Sequence, residues 1–192
     1  MNIGVYGGTF NPPHVGHLLA AEHAREQLDL ARVIFVPSSI PPHKGDHGTL
    51  DVRHRLEMLR IALKGNRYFE ISDVELKRGG VSYTVDTLRV LKLEYPDDAL
   101  FFLLGMDMLT DFPSWRSPEE ILELAEVVGL TRPDFPLPEL AQPFRRRIMV
   151  CRIPEIAISS SDIRRKVREG RSIRYMVGPS VEAYIKEHGL YR

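Results

Sequence analysis

The sequence predicts an α/β fold, an open parallel sheet with helices on both faces and a small helical segment at its C-terminal end. Strand-like and helix-like segments alternate through the first 130 residues, which is the pattern of a parallel sheet built from βαβ units. Residues 100–104 are apolar without alternation, as expected for a strand covered on both faces. We expect a single domain over residues 1–192, whose helical C-terminal segment begins at about residue 159.

The strands are predicted from short runs of β-branched, aromatic or other apolar residues, several of which end at Gly or Pro. The clear runs are residues 2–6, 32–36, 69–76, 100–104 and 127–130. Two further segments, residues 147–151 and 155–158, are each compatible with extended structure.

The helices are predicted from apolar residues at helical spacing and from capping residues. They span residues 15–28, 51–63, 84–93, 118–124 and 179–188. A further helix is expected from Ser160 or Ser161, either of which would cap it, to Glu169, with Gly170 as its stop signal. The Pro-rich stretches 37–50 and 131–143 are predicted as loops, and the length of the first favours a functional role.

The composition excludes several classes of protein. Of the 192 residues 43% are hydrophobic and 27% are charged, so the chain is neither disordered as a whole nor fibrous. The one cysteine, Cys151, cannot form an internal disulfide, which favours a reducing compartment. The N-terminus does not resemble a secretion signal, and the longest apolar run, residues 99–106, is far short of the ~20 residues of a membrane helix. We expect a cytoplasmic protein with no membrane partner.

The formal net charge of zero conceals an asymmetry along the chain. Residues 1–144 carry 14 Lys and Arg against 21 Asp and Glu, whereas residues 145–174 carry 10 against 3. Such a basic segment could face a polyanion, but it is more often the solvated surface of an Arg-rich helix.

The strongest functional signal is the segment GGTFNPPHVGH, residues 7–17, between the first strand and the first helix. Ligands of open α/β sheets bind at the carboxyl ends of the strands, where the first βα loop contributes. Gly7 and Gly8 let the backbone pass close to a bulky group, and the start of the following helix suits a phosphate. His14 and His17 share a face of the first helical turn, from which two imidazoles can donate to phosphate oxygens.

A metal site is the alternative for these histidines. His14, His17, His43 and His47 could be ligands, although a structural zinc usually has cysteine ligands or a tighter cluster.

Residues 7–17 match neither the P-loop nor the dinucleotide fingerprint, so in phosphate binding the histidines would replace the lysine of a P-loop.

A second constellation, residues 158–164, has the sequence ISSSDIR. Its serines supply caps and hydroxyl donors at a helix start, and Arg164 lies near the end of the first turn, where its guanidinium can fork onto phosphate oxygens. Plain capping with a solvated arginine is the alternative. Two helix starts, two imidazoles and a guanidinium together are what a triphosphate requires.

Two further candidates follow strands at the same edge of the predicted sheet. Lys44, in the long loop after the second strand, could close over a phosphate or could be an exposed lysine. Asp107 follows Gly105 at the end of the fourth strand and could accept from ribose hydroxyls or base nitrogens, or cap the short stretch 108–111.

The remaining candidates are an aromatic side chain and a further helix start. Trp115, the only tryptophan, could stack on a planar ring or could be a partly buried packing residue. Ser82, Tyr83 and Thr84 open a predicted helix whose N–H groups could take a carboxylate, with capping by Ser82 as the alternative.

Together these motifs resemble the nucleotidyltransferase superfamily of H-x-G-H and I-S-S-T-x-I-R proteins. Within it, residues 41–44, 82–88 and 105–107 and Trp115 are similar, in order, to further landmarks of the bacterial nicotinate-nucleotide adenylyltransferases. The resemblance covers essentially the whole chain. It departs from the family pattern at Ser161, where the motif usually has Thr, and at Met106, where a smaller residue is common.

The resemblance implies a Rossmann-like fold and an adenylyl transfer from ATP, with Mg²⁺, to nicotinate mononucleotide, giving nicotinate adenine dinucleotide and pyrophosphate. The mononucleotide phosphate would attack the α-phosphorus of ATP directly. The implied catalytic residues are His14, His17, Lys44 and Arg164. The implied ATP-binding residues are Gly8, Thr9, Phe10, His14, His17, Gly105, Asp107, Ile158, Ser159, Ser160 and Arg164. The implied mononucleotide-binding residues are Lys44, Tyr83, Thr84, Asp107 and Trp115. No protein ligand to the metal is implied.

Several alternatives stay open at this point. An adenylyltransferase for nicotinamide mononucleotide or phosphopantetheine would share the phosphate motifs, although chains of the second kind are usually shorter and lack the Ser-Tyr-Thr and Trp landmarks. A non-catalytic nucleotide- or RNA-binding module would use residues 145–174. We expect small-molecule substrates and no nucleic-acid partner, and the sequence leaves open whether the chain forms a homo-oligomer.

Overall fold

The computed structural model describes residues 1–40, 50–131, 144–154 and 156–192, and its strands form one parallel sheet. The strands are β1 (Asn2–Gly8), β2 (Arg32–Pro37), β3 (Phe69–Ile71), β4 (Ala99–Gly105), β5 (Glu126–Leu130) and β6 (Ile148–Cys151). Their order across the sheet is β3–β2–β1–β4–β5–β6. The strand order therefore reverses between β1 and β4, and the carboxyl ends of these two strands open a crevice of the kind that binds ligands in α/β proteins.

Helices connect the strands and continue beyond the sheet. The helices are α1 (Val15–Gln27), α2 (Val52–Leu63), α3 (Val74–Arg78), α4 (Thr84–Glu94), α5 (Met106–Leu109), α6 (Pro118–Leu124), α7 (Phe144–Arg147), α8 (Ser160–Arg168) and α9 (Pro179–Glu187). A 3₁₀ turn, Phe112–Ser114, lies between α5 and α6. In the described part of the chain no helix has the length and apolar character needed to cross a bilayer.

Each face of the sheet has its own apolar core, because side chains alternate between the faces along a strand. On one face, residues of α4 and α6 pack with Val5 and Phe102. On the other face, residues of α1 and α2 pack with Phe35 and Leu103. Removing a fully buried ring such as Phe35 would cost about 3–5 kcal/mol of stability. The predicted parallel sheet with helices on both faces is confirmed.

The C-terminal helices add a third core beside α2. Ile163 of α8 and Val181 and Ile185 of α9 pack with Met58 of α2, and all four side chains are buried. This packing fixes α8, whose first residues contact the loop that follows β1. Two sequence-distant motifs are thereby brought together.

Most predicted elements agree with the structure to within about two residues, and three predictions are corrected. The strand predicted over residues 69–76 ends at Ile71, and α3 follows, stopped by Gly79 at φ +68°. In segment 147–151, Arg147 still belongs to α7 and the strand begins at Ile148. Residues 156–158 are not a strand, because the Ile158 N–H turns back to the Ile156 carbonyl at 2.9 Å.

Candidate active site

A cavity of about 600 Å³ lies at the carboxyl edge of the sheet, in the crevice between β1 and β4. It is bordered by the loop after β1, the start of α1, the end of β4 and the start of α8. All the residues that the sequence predicts to bind ATP line it: Gly8, Thr9, Phe10, His14, His17, Gly105, Asp107, Ile158, Ser159, Ser160 and Arg164. The fold thus gathers residues separated by about 150 positions around one space.

The two histidines form a stacked pair at the start of α1. Their ring centroids are 3.6 Å apart and the ring planes are inclined by 25°. The His14 backbone N–H donates to His17 Nδ1 at 3.1 Å, so a neutral His17 ring carries its proton on Nε2. A Cβ atom at Gly16 would lie 3.1 Å from His14 Nδ1, which explains the glycine between the histidines. The stack presents two imidazoles, oriented by the helix start itself, to the cavity.

The Phe10 side chain packs against the His17 ring of this pair. Its ring is only 2% exposed and meets the His17 ring edge-on at 5.2 Å and the Phe35 ring at 5.7 Å. Its backbone has a φ of +47°, in the left-handed region that costs an L-residue about 1–3 kcal/mol. The buried ring holds this conformation, because a relaxed backbone would withdraw the ring from its aromatic contacts.

Side chains from the C-terminal segment hold the carbonyl groups of the loop after β1. Ser160 Oγ donates to the Pro12 carbonyl at 2.8 Å, and Arg164 Nη1 donates to the Asn11 carbonyl at 2.8 Å. The Tyr191 hydroxyl donates to the Asn11 side-chain oxygen at 2.7 Å. The Ser160 hydroxyl proton is therefore already donated within the protein. Arg164 also donates from Nη2 to Ser161 Oγ, so two of the five N–H bonds of its guanidinium are in use. Arg164 retains donors that suit a phosphate.

The helix starts differ from the sequence expectation in two respects. The N-cap of α8 is Ser159, not Ser160 or Ser161, since Ser159 Oγ accepts from the Asp162 N–H at 3.1 Å. At α1 the Val15 N–H donates to the Met176 carbonyl at 3.0 Å, so part of that helix start is already satisfied within the protein. The side chains of α1 therefore matter more for a ligand than its first N–H group does.

Asp107 lies at the end of β4, within the first turn of α5. The helix begins at Met106 with Gly105 as its N-cap, so Asp107 does not cap the stretch 108–111. A Cβ atom at Gly105 would collide with Asp107 Oδ1, which requires a glycine here. Asp107 is the only carboxylate among the described residues that line the cavity.

Tyr83, Thr84 and Trp115 lie outside the residues that line this cavity. Tyr83 and Trp115 pack against the core on the α4 face of the sheet. Trp115 is half-buried, and its ring lies 6.2 Å from the Phe102 ring and 5.5 Å from the Phe112 ring. Tyr83 is the N-cap of α4 and Thr84 its first residue. Ser82 is not the cap, because its hydroxyl accepts from the Ser39 N–H at 2.9 Å.

The Arg116 side chain links the segment that carries Trp115 to the start of α4. Its guanidinium carbon lies 4.8 Å from the centre of the Tyr83 ring, and one nitrogen lies 3.5 Å from Asp86 on α4. The segment that carries Trp115 is thereby held against the start of α4. Lys44, with His43 and His47, lies outside the described residues, and its predicted role stays a prediction.

Arg55 is a structural residue of this site that the sequence reasoning missed. Its side chain is 1% exposed and donates to the carbonyl of Thr9 in the loop after β1. An arginine on the helix face that also carries Met58 and Leu59 points into the core, and that position was the available signal. Burial lowers the pKa of its guanidinium, because an apolar environment disfavours the charged form.

Comparisons with known proteins show which proteins the chain is similar to. The chain matches the model of the cytidylyltransferase-like family over residues 5–166. It is 47% identical to a probable nicotinate-nucleotide adenylyltransferase of Thermomicrobium roseum, over 99% of this chain and 91% of that protein. It is 45% identical to one of Thermus thermophilus over the full length of both chains.

Solved structures share the fold. A Plasmodium falciparum nicotinic acid mononucleotide adenylyltransferase complexed with NaAD superposes with a TM-score of 0.81 at 21% identity, covering 99% of this chain and 97% of that one. A putative nicotinate-nucleotide adenylyltransferase of Vibrio parahaemolyticus superposes with a TM-score of 0.74 at 24% identity, covering 100% and 95%. The Rossmann-like fold expected from the sequence is therefore confirmed.

Proposed function

The chain belongs to the cytidylyltransferase-like family and, within it, to the nicotinate-nucleotide adenylyltransferases, and on this premise we propose how it works. It transfers the adenylyl group of ATP to nicotinate mononucleotide, releasing pyrophosphate and forming nicotinate adenine dinucleotide, a step of NAD biosynthesis. The observation that carries the proposal is the convergence of His14, His17 and Arg164 on one cavity at the β1–β4 crevice.

The residues around the cavity form what we term the phosphate half of the site: residues 7–17, Gly105, Asp107 and residues 158–164. Negative charge develops on the oxygens of the phosphate chain as the α-phosphorus is transferred, and donors fixed beforehand stabilise it. His14 and His17 donate to these oxygens, His17 through Nε2, and Arg164 donates through the N–H bonds that the loop leaves available. Gly8, Thr9 and Phe10 supply backbone N–H groups, Ile158, Ser159 and Ser160 supply the start of α8, and Lys44 supplies a further charge.

Tyr83, Thr84 and Trp115 form what we term the pyridine half of the site. The first N–H groups of α4 bind the carboxylate of the pyridine ring, because a helix start favours an anion. Trp115 stacks on the ring. Asp107, which follows the end of β4 and belongs to the phosphate half, accepts from the ribose hydroxyls of the nucleotides.

The reaction needs no protein nucleophile, because the phosphate of the mononucleotide attacks the α-phosphorus itself. Catalysis then consists of holding the two substrates in line and stabilising charge. In the described part of the chain no group of three or more His, Cys, Asp or Glu could hold a metal by itself, so we expect the phosphates of ATP and water to supply most of the ligands of a Mg²⁺ ion. The Asp107 carboxylate, which lines the cavity, would be the side chain to hold one of those waters, and the ion would neutralise phosphate charge.

The proposal is tested by pyrophosphate release in the presence of ATP and Mg²⁺, with nicotinate mononucleotide, nicotinamide mononucleotide or phosphopantetheine as acceptor. We expect strong turnover with the nicotinate form alone. Preference for another acceptor would retain the phosphate half and overturn the roles of Thr84 and Trp115. Turnover with none of them, together with a salt-dependent shift on RNA, would favour a binding module instead.

A further inference from the structure

Arg55 carries a buried positive charge that is satisfied by backbone oxygens. Its Nε donates to the Leu50 carbonyl at 3.1 Å, its Nη1 to the Thr9 carbonyl at 2.9 Å and its Nη2 to the Ser39 carbonyl at 3.3 Å. No described carboxylate forms an ion pair with it, and Asp51, at the start of the same helix, favours its charged form only from a distance. A buried cation without a counter-ion is expensive, so the charge is explained best by what it does to the groups it touches.

The Thr9 carbonyl differs from the other carbonyls held in this loop. Side chains also donate to the carbonyls of Asn11 and Pro12, but both of those residues precede a proline, so their peptide groups carry no N–H. Thr9 precedes Phe10, whose peptide group does carry one. Of these three loop carbonyls, only that of Thr9 belongs to a peptide group in which a hydrogen bond accepted by the C=O can strengthen the N–H, here that of Phe10, as a donor.

The geometry of this peptide group directs its donor away from Arg55. Among the described residues the one cis peptide bond is Asn11-Pro12, so the Thr9-Phe10 bond is trans, and its C=O and N–H point in opposite directions. Within the described part of the chain no acceptor is bonded to the Phe10 N–H. Thr9 and Phe10 both line the cavity, whereas the carbonyl faces the buried guanidinium.

We propose that Arg55 is a positioning residue that turns the Phe10 N–H toward the ATP phosphates and polarises it. The guanidinium fixes the peptide plane and withdraws electron density through the carbonyl, which makes the N–H a stronger donor to an anion. A full positive charge thus acts on the phosphates through one peptide bond while itself remaining buried. This role rests on the proposed function, since it assumes a phosphate chain in the cavity.

The first test compares Arg55→Lys with Arg60→Met. Lysine keeps the charge, but its single nitrogen lacks the planar fork whose three nitrogens reach the three carbonyls. Arg60, on the same helix, has a side chain that is 61% exposed. We expect Arg55→Lys to lower kcat/KM for ATP about tenfold or more, with KM for the mononucleotide changed less than about twofold. Arg60→Met should match the wild type. A folded Arg55→Lys variant with wild-type kcat/KM for ATP would overturn the proposal.

The second test uses the wild-type protein and so does not depend on the folding of a variant. Sodium tripolyphosphate is titrated while the amide proton of Phe10 is followed by NMR. We expect a downfield shift of this amide that is the largest within residues 7–17, and an unmoved Phe10 amide at saturation would overturn the proposal. If the shift occurs but no acceptor supports turnover, the proposed function fails while the role of Arg55 in anion binding stands.

Discussion

The two halves of the candidate site are held in place by different kinds of contact. In the phosphate half, buried or half-buried side chains from α2 and α8 donate to the carbonyls of Thr9, Asn11 and Pro12 at 2.8–2.9 Å. In the pyridine half, ring contacts hold Trp115, and an exposed guanidinium, that of Arg116, covers Tyr83. On the proposed function, this difference leads us to expect that the phosphate half is preorganised for charge stabilisation and that the pyridine half supplies contact area. Variants of the first should change kcat, and variants of the second should change KM.

Each half also lies next to one buried ionisable residue, a base in one case and an acid in the other. Arg55 lies under the phosphate half, and Glu75, 7% exposed, lies under the start of α4. Burial raises the pKa of Glu75, although hydrogen bonds from Ser82 and Thr87 oppose the shift. A buried cation beneath the phosphate half and a carboxyl that resists ionisation beneath the pyridine half both suit anionic ligands.

The largest effect is expected from His17→Ala. Loss of a donor aimed at developing charge should lower kcat by about 100- to 1000-fold, while KM for the mononucleotide changes little. Steady-state kinetics measure the effect, and circular dichroism with thermal unfolding serves as the control for the fold. Unchanged turnover in a folded variant would remove His17 from the phosphate half.

Arg164→Lys should have a smaller effect on the same half. Lysine cannot bind the Asn11 carbonyl and a phosphate with one planar fork, so we expect kcat/KM for ATP to fall by about 10- to 100-fold. Arg165→Lys is the matched control, because the neighbouring Arg165 is exposed and pairs with Asp162. Equal losses in both variants would mean that general charge on α8, and not the fork of Arg164, is responsible.

Trp115→Ala tests the pyridine half. Stacking is worth about 0.5–1.5 kcal/mol, so KM for the mononucleotide should rise by about 2- to 13-fold, with a smaller change in KM for ATP. Both constants are measured in the same pyrophosphate assay. Equal increases for the two substrates would contradict the stacking assignment and the division of the site into halves.

The smallest effect is expected from Glu75→Gln, read as stability against pH. Because the folded state raises the pKa of Glu75 above its ordinary value of 4.5, that state binds the proton more tightly, and stability falls as pH rises past this value. The glutamine side chain of the variant does not ionise and can still accept from the Thr87 hydroxyl. In thermal unfolding, the stability of the variant relative to the wild type should increase as pH rises above 4.5. A stability difference that does not vary with pH would contradict the raised pKa of Glu75.

Local signals in the sequence predict the sheet and the gathering of residues 8–10, His14, His17 and Arg164 around one cavity, and long-range contacts explain the remainder. Gly-rich strand ends and helix starts predict the His14 and Arg164 positions, because βα loops of a parallel sheet share one edge. The cap at Ser159 and the satisfied Val15 N–H depend on how the C-terminal segment docks, which no local pattern encodes. The position of Arg55 beside Met58 and Leu59 on α2 indicates that its side chain points inward, but which carbonyls it contacts depends on how the loops dock.

The mechanism proposed for the phosphate half is that it holds ATP by hydrogen bonds for direct attack and forms no covalent bond to it. The most direct measurement is the exchange of labelled pyrophosphate into ATP, with Mg²⁺, in the presence and absence of nicotinate mononucleotide. We expect exchange only when the mononucleotide is present, because pyrophosphate leaves only as the dinucleotide forms. Exchange without any acceptor would reveal an adenylylated enzyme and would rule out direct attack.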